Sequence, residues 1–110
     1  LVVAHNVAFD WLVIESAWLR AHPDAGRESW AGLHAKRDRF CTMQAAAPVV
    51  NLPPTERMLA AGFTSPKSPK LAECVAHFFG EEHARAHDAL ADVRACARVF
   101  FHLRQIGAIT

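Results

Sequence analysis

The chain opens with a nearly unbroken apolar stretch. Within residues 1–14 the polar side chains are those of His5, Asn6 and Asp10. A carboxylate in apolar surroundings costs several kcal/mol unless a metal ion or a charged partner compensates it. We therefore expect Asp10 to have a specific partner, and a divalent cation is a good candidate.

A second stretch of this kind, residues 86–93, lies near the other end of the chain. Asp88 and Asp92 are one helical turn apart and should share a helix face. Asp88 begins the predicted helix, where N-capping explains it. Asp92 lies one turn further among alanine, leucine and valine residues, and is either a metal ligand or a buried salt-bridge partner. His87 precedes the helix and is a candidate general base, although a lone histidine is more often a hydrogen-bonded structural residue.

The apolar segments predict a strand, a helix, a second strand and further helices, in that order. This order is typical of the α/β class. Residues 1–4 read as a strand buried on both faces of a parallel sheet. Asn6 is a plausible N-cap for a helix to about Ala21, and residues 27–39 read as an exposed connection. The core-facing residues predicted for the first helix are Phe9, Leu12, Val13 and Ala17.

The second half is predicted as a strand over residues 40–43, a helix over 44–50 and two later helices. Ser68 is a credible N-cap of the first of these, and Gly80 ends it, with a buried stripe at Leu71, Val75 and Phe78. The last helix begins near Asp88 or Ala89 and ends before Gly107. Its predicted buried face is Ala89, Val93, Cys96, Phe100 and Leu103.

Composition narrows the classes of function. A chain of 110 residues with 52% hydrophobic residues is one domain or less, and a net charge of +1 does not indicate a wide nucleic-acid footprint. Its apolar runs are shorter than the roughly 18 residues of a membrane span. Cys41, Cys74 and Cys96 are odd in number without a C-x-x-C pair, which argues against disulfides and a zinc site. We therefore expect a cytoplasmic protein.

Two motifs together carry a family resemblance. H-N-x-x-F-D over residues 5–10 and H-x-A-x-x-D over residues 87–92 resemble the second and third motifs of the DEDDh 3′–5′ exonucleases, the DnaQ-like group with an RNase H-like fold. C-T-M over residues 41–43 resembles the strand-to-helix junction of that family. K-L at 70–71 followed by F-F-G at 78–80 resembles its helix before the last motif.

The resemblance implies hydrolysis of phosphodiester bonds at the 3′ end of single-stranded DNA or RNA with two Mg²⁺ or Mn²⁺ ions. Asp92 would ligate the metal ion that holds the attacking water, and Asp10 would support the second metal site. His87 would be the general base. The residues implied at the substrate are Phe9, His5 and Asn6.

The family's first motif, an Asp-x-Glu on the opening strand, does not occur in these residues. We therefore expect residues 1–110 to be the C-terminal part of an RNase H-like exonuclease domain, with its opening strands before Leu1. With half of the carboxylates, the chain alone should bind Mg²⁺ poorly and be inactive. The unpaired apolar edge of the strand at residues 1–4 should also leave it marginally folded.

Two alternatives remain at this point. The His87-Asp88 dipeptide also suggests an HD-type metal phosphohydrolase, but those proteins are all-helical and need a further aspartate downstream, whereas no acidic residue follows Asp92. The other alternative is a degenerate exonuclease-like module that binds nucleic acid or protein without catalysis. DNA or RNA as substrate, the cellular role and the oligomeric state are not encoded in a recognisable pattern.

Overall fold

Two short parallel strands lie at the centre of the fold. The structure, a computed structural model, describes residues 1–34 and 38–109. β1 (Val2–Ala4) pairs with β2 (Arg39–Cys41), and Val3 is opposite Phe40. A continuous apolar run followed by a crossover is typical of parallel pairing, so the predicted strand is confirmed. The expected burial on both faces is not found: β1 is half-buried and Leu1 is 77% exposed, because β2 is the one strand partner of β1 in the described part of the chain.

α1 (Val7–Ala21) follows β1 after a tight turn. Its extent agrees with the prediction, but the predicted core face is wrong. The helix packs instead through its tryptophans, and Trp11 and Trp18 lie 5.4 and 5.6 Å from the ring of Trp30. The four predicted core residues are exposed: Phe9, Leu12, Val13 and Ala17.

α2 (Arg27–His34) occupies most of the predicted exposed connection, and residues 35–37 of that connection lie outside the described residues. The predicted connection is therefore helical over residues 27–34, and residues 27–29, 31 and 32 are exposed as expected. Trp30 is 5% exposed and lies between the tryptophans of α1. The burial of Trp30 against α1 contributes a large contact area that docks this short helix.

The main core lies between three helices, α3 (Thr42–Val50), α5 (Leu71–Phe79) and α6 (Ala89–Gln105). A short helix, α4 (Glu56–Ala60), was not predicted and is capped by the Thr55 side chain, which accepts the N–H of Met58. The fully or nearly buried residues of this core are Ala46, Val50, Cys74, Val99 and Leu103.

α5 and α6 depart from prediction in detail. The N-cap of α5 is Lys70 rather than Ser68, and Gly80 ends the helix with φ of 65° as expected. On α6, Cys96 and Leu103 are buried and Phe100 is half-buried, but Ala89 and Val93 are exposed. Ala89 begins the first turn of α6, and Val93 begins the second.

The protein is thus a mixed α/β fold, mostly helical, with a two-stranded parallel sheet. This agrees with the predicted class, and the parallel sheet argues against the all-helical HD-type fold. Within residues 1–34 and 38–109, no helix is long and apolar enough to cross a membrane.

Candidate functional site

An open cavity of about 480 Å³ lies between the carboxyl end of β1, the starts of α1 and α5, and the face of α6 from Asp92 to Phe101. Cavities of a few hundred Å³ or more are typical of small-molecule and cofactor sites. Its walls are largely apolar, and the ionisable side chains on them include His5, Asp10 and Asp92. The cavity therefore brings together the two carboxylates that the sequence singled out.

Asp10 and Asp92 occupy equivalent positions on their helices. Each lies in the first turn, Asp10 on α1 and Asp92 on α6. The N-terminal end of a helix carries a partial positive charge that favours a carboxylate in its ionised form. Both side chains therefore lie at the N-terminal end of a helix and on the wall of the same cavity.

Two protein donors fix the carboxylate of Asp92. Nε2 of His83 lies 2.6 Å from Oδ1, and the backbone N–H of His87 donates to Oδ2 at 3.2 Å. The sequence pattern left open whether Asp92 is a metal ligand or a salt-bridge partner. His83 is a charged or polar partner of Asp92. Asp92 also lies on the cavity wall, which is compatible with the role of a metal ligand.

His87 is exposed and adopts a left-handed backbone conformation, with φ of 72°. This conformation points its N–H at Asp92 and costs a non-glycine residue about 1–2 kcal/mol. The cavity-lining residues of the described chain do not include His87. Its side chain is therefore open to solvent, and its backbone N–H connects it to Asp92 on the cavity wall.

His5 is held by both ring nitrogens. Nδ1 lies 2.9 Å from Oγ1 of Thr42, and Nε2 lies 2.8 Å from the carbonyl oxygen of Pro69. A carbonyl can only accept, so Nε2 carries a proton, and in neutral His5 Nδ1 accepts from the Thr42 hydroxyl. Burial lowers the pKa of His5, against the bond to Pro69 and the charge of Asp10, which raise it. His5 is therefore a neutral imidazole on the cavity wall, held in place by Thr42 and Pro69.

Thr42 is completely buried and extends this network to α6. Sγ of Cys96 lies 3.7 Å from Oγ1 of Thr42. Burial raises the pKa of the Cys96 thiol, so it is protonated near neutral pH and can donate to the hydroxyl. The network joins the end of β1 to the first residue of α3 and the middle of α6.

Phe9 and Asn6, the other residues implied at the substrate, are not among the cavity-lining residues of the described chain. Phe9 is 63% exposed. Asn6 is exposed and occupies the expected N-cap position with φ of 69°. Its side chain makes no capping hydrogen bond to α1. Asp88 does cap α6, because its side chain accepts the N–H of Ala91 at 3.0 Å.

The oxygen ligands present fit part of a magnesium or manganese site. Mg²⁺ takes one or two protein carboxylates with water and substrate phosphate as its other ligands, and Asp10 and Asp92 supply two carboxylates. No group of three or more His, Cys, Asp and Glu side chains in the described ranges is placed to hold a metal ion. Asp10 and Asp92 would therefore provide part of the ligand set of a magnesium or manganese site.

Comparisons with protein-family models, with curated proteins and with solved structures found no match for this chain. The resemblance to the DEDDh exonucleases rests on the motifs alone.

Sequence reasoning missed His83, which no local signal marks. It lies in an irregular segment, and the contact with Asp92 arises from the path of residues 80–88. In the sequence, Thr42 is marked as part of the C-T-M junction. Its contact with His5 follows from the pairing of β1 with β2, which the junction alone does not predict.

Proposed function

We propose that this chain is part of a metal-dependent 3′–5′ exonuclease domain that hydrolyses phosphodiester bonds of single-stranded DNA or RNA. The observation that carries the proposal is the presence of Asp10 and Asp92, far apart in the sequence, on the wall of one cavity. The two motifs predict this convergence, whereas two unrelated surface carboxylates would have no reason to meet.

The cation supplies charge neutralisation and an activated water when it is bound. Asp10 and Asp92 would hold it through carboxylate lone pairs that accept no hydrogen bond. His87 would accept a proton from the attacking water through its exposed imidazole, and Phe9 would lie against the terminal nucleotide. His5 keeps β1 and α3 in place beneath them through its bonds to Thr42 and Pro69.

The remaining ligands of the proposed site come from an Asp-x-Glu on a strand beside β1. Val3 and Ala4 line the cavity, and the edge of β1 away from β2 has no strand partner within residues 1–34 and 38–109. An apolar strand edge of this kind favours pairing with another strand. These features support an RNase H-like sheet in which β1 has a second neighbour.

The first test is to read the coding sequence upstream of Leu1. We expect an in-frame Asp-x-Glu on an apolar, strand-like segment. A start codon directly before Leu1, or a longer frame without that acidic pair, would contradict the proposal.

A binding module without catalysis is the second candidate. It is favoured by the carboxylate of Asp92, since both of its oxygens already have protein donors. Mn²⁺ should raise the melting temperature of the longer gene product if the metal site is functional, because binding to the folded state stabilises it by mass action. An unchanged melting temperature at millimolar Mn²⁺ would favour the binding module.

A further inference from the structure

His83 contacts the functional carboxylate although nothing in the sequence assigns it a role. Its side chain is 9% exposed, whereas that of Asp92 is 36% exposed. The carboxylate can only accept a hydrogen bond, so Nε2 of His83 carries the proton in the 2.6 Å contact with Oδ1. A buried donor of this kind limits rotation of the Asp92 side chain.

The segment that carries His83 is fixed on both sides. Before it, Glu81 forms two hydrogen bonds with Arg98 at 2.7 and 3.3 Å, and the guanidinium of Arg98 lies 4.1 Å from the centre of the Phe79 ring. After it, Asp88 caps α6. The position of His83 is therefore set by the surrounding structure.

The two donors act on different oxygens of Asp92. His83 occupies one acceptor site on Oδ1, and the N–H of His87 occupies one on Oδ2. Each carboxylate oxygen has two acceptor sites, so one site on each oxygen is left. A carboxylate held in this way presents a fixed pair of oxygens to a cation in the cavity.

We propose that His83 is a positioning residue that holds the Asp92 carboxylate in the orientation that binds a divalent cation. This inference rests on the proposed function, because it assigns the cation to Asp92. His83 itself does not touch substrate or metal. Loss of the hydrogen bond should weaken metal binding, since outer contacts to metal ligands typically contribute about 10–100-fold to affinity.

The test measures Mn²⁺ binding to the 110-residue chain by paramagnetic broadening of its NMR signals, which detects weak sites. His83→Leu removes the donor and keeps an apolar side chain, and His83→Gln keeps an N–H donor. His77→Leu, on the exposed face of α5, is the matched control for the loss of a histidine. Amide spectra without metal show whether each variant keeps the fold.

We expect Mn²⁺ to broaden the signals near Asp10 and Asp92 in the wild-type chain. His83→Leu should weaken the affinity about tenfold or more, His83→Gln should restore most of it, and His77→Leu should leave it unchanged. In a spectrum of histidine ring nitrogens, His83 should carry its proton on Nε2, and Asp92→Asn should shift that signal.

The outcomes separate this inference from the proposed function. Wild-type broadening that Asp92→Asn abolishes, with His83→Leu within about twofold of wild type, overturns the positioning role and leaves the metal site intact. The positioning role is also overturned if His83→Gln binds as weakly as His83→Leu while both keep the wild-type amide spectrum. No broadening near Asp10 and Asp92 in the wild-type chain overturns the positioning role in this chain, whereas the proposed function is overturned by the absence of an upstream Asp-x-Glu.

Discussion

Nδ1 of His5 lies 2.9 Å from Oγ1 of Thr42, and this contact ties the end of β1 to the first residue of α3. β1 lines the cavity in which Asp10 and Asp92 converge, and this contact joins α3 to it. The polar network beneath the cavity is therefore part of the architecture that positions the candidate site, and its loss should be measurable as a loss of stability.

Thr42→Val is expected to lower the free energy of unfolding by about 1–3 kcal/mol, because it leaves Nδ1 of His5 without a donor in a buried position. Thr42→Ser, which keeps the hydroxyl and loses a methyl group, is the control and should cost less. Urea unfolding followed by tryptophan fluorescence measures both. Equal losses for the two variants would show that the hydrogen bond is unimportant.

Stability should fall between pH 7 and pH 5 because burial lowers the pKa of His5 from its ordinary value of 6.5. The unfolded chain takes up a proton in this range while the folded chain resists it, so the stabilisation is complete above pH 6.5 and is lost as pH falls through the folded-state pKa. His5→Gln should show a smaller loss between these pH values in urea unfolding. If His5→Gln loses stability with falling pH as steeply as the wild-type chain, protonation of His5 is not the cause of the loss.

His87→Gly is expected to stabilise the chain by about 1 kcal/mol relative to His87→Ala, because glycine adopts positive φ without the steric cost. The same substitution removes the imidazole proposed as general base. Paired denaturation curves of the two variants measure the difference. If alanine is tolerated as well as glycine, residue 87 does not keep its left-handed conformation in solution.

Asp88→Ala should cost about 1 kcal/mol of stability through loss of the N-cap of α6, whereas Asp88→Asn should be nearly neutral. Asparagine keeps an oxygen that accepts the N–H of Ala91. Thermal or urea unfolding checks the pair. A large loss with asparagine would mean that the charge of Asp88, rather than its capping bond, matters.

The burial of Cys74 predicts slow thiol chemistry. The side chain is fully buried, and burial raises its pKa to about 11. In the folded chain at pH 8, Cys74 should react with a disulfide reagent far more slowly than the half-buried Cys41, and urea should abolish the difference. Mass spectrometry of the labelled peptides distinguishes the sites.

The local sequence pattern was sufficient to predict elements that have a clear run of apolar residues or a residue that ends a helix. β1 is a short apolar run, and Gly80 ends α5 in the left-handed conformation expected of glycine. α1 was predicted in extent but not in orientation, since its apolar residues surround the helix and define no single stripe. α2 was missed because its docking depends largely on the burial of Trp30 against α1, a tertiary contact.

The candidate site was partly predictable for the same reason. Asp10 and Asp92 stand out as carboxylates in apolar sequence, and the structure places both on one cavity. His83 is a partner of Asp92 because residues 80–88 fold back over α6, which no sequence period encodes.

The most direct test of the central claim is release of nucleotides from a 3′-labelled single-stranded oligonucleotide by the complete gene product in the presence of Mg²⁺. We expect steady 3′–5′ release that Asp92→Asn abolishes and Asp88→Asn preserves, whereas residues 1–110 alone should be inactive. Equal activity of the two asparagine variants, or no release by the complete gene product, would contradict the account.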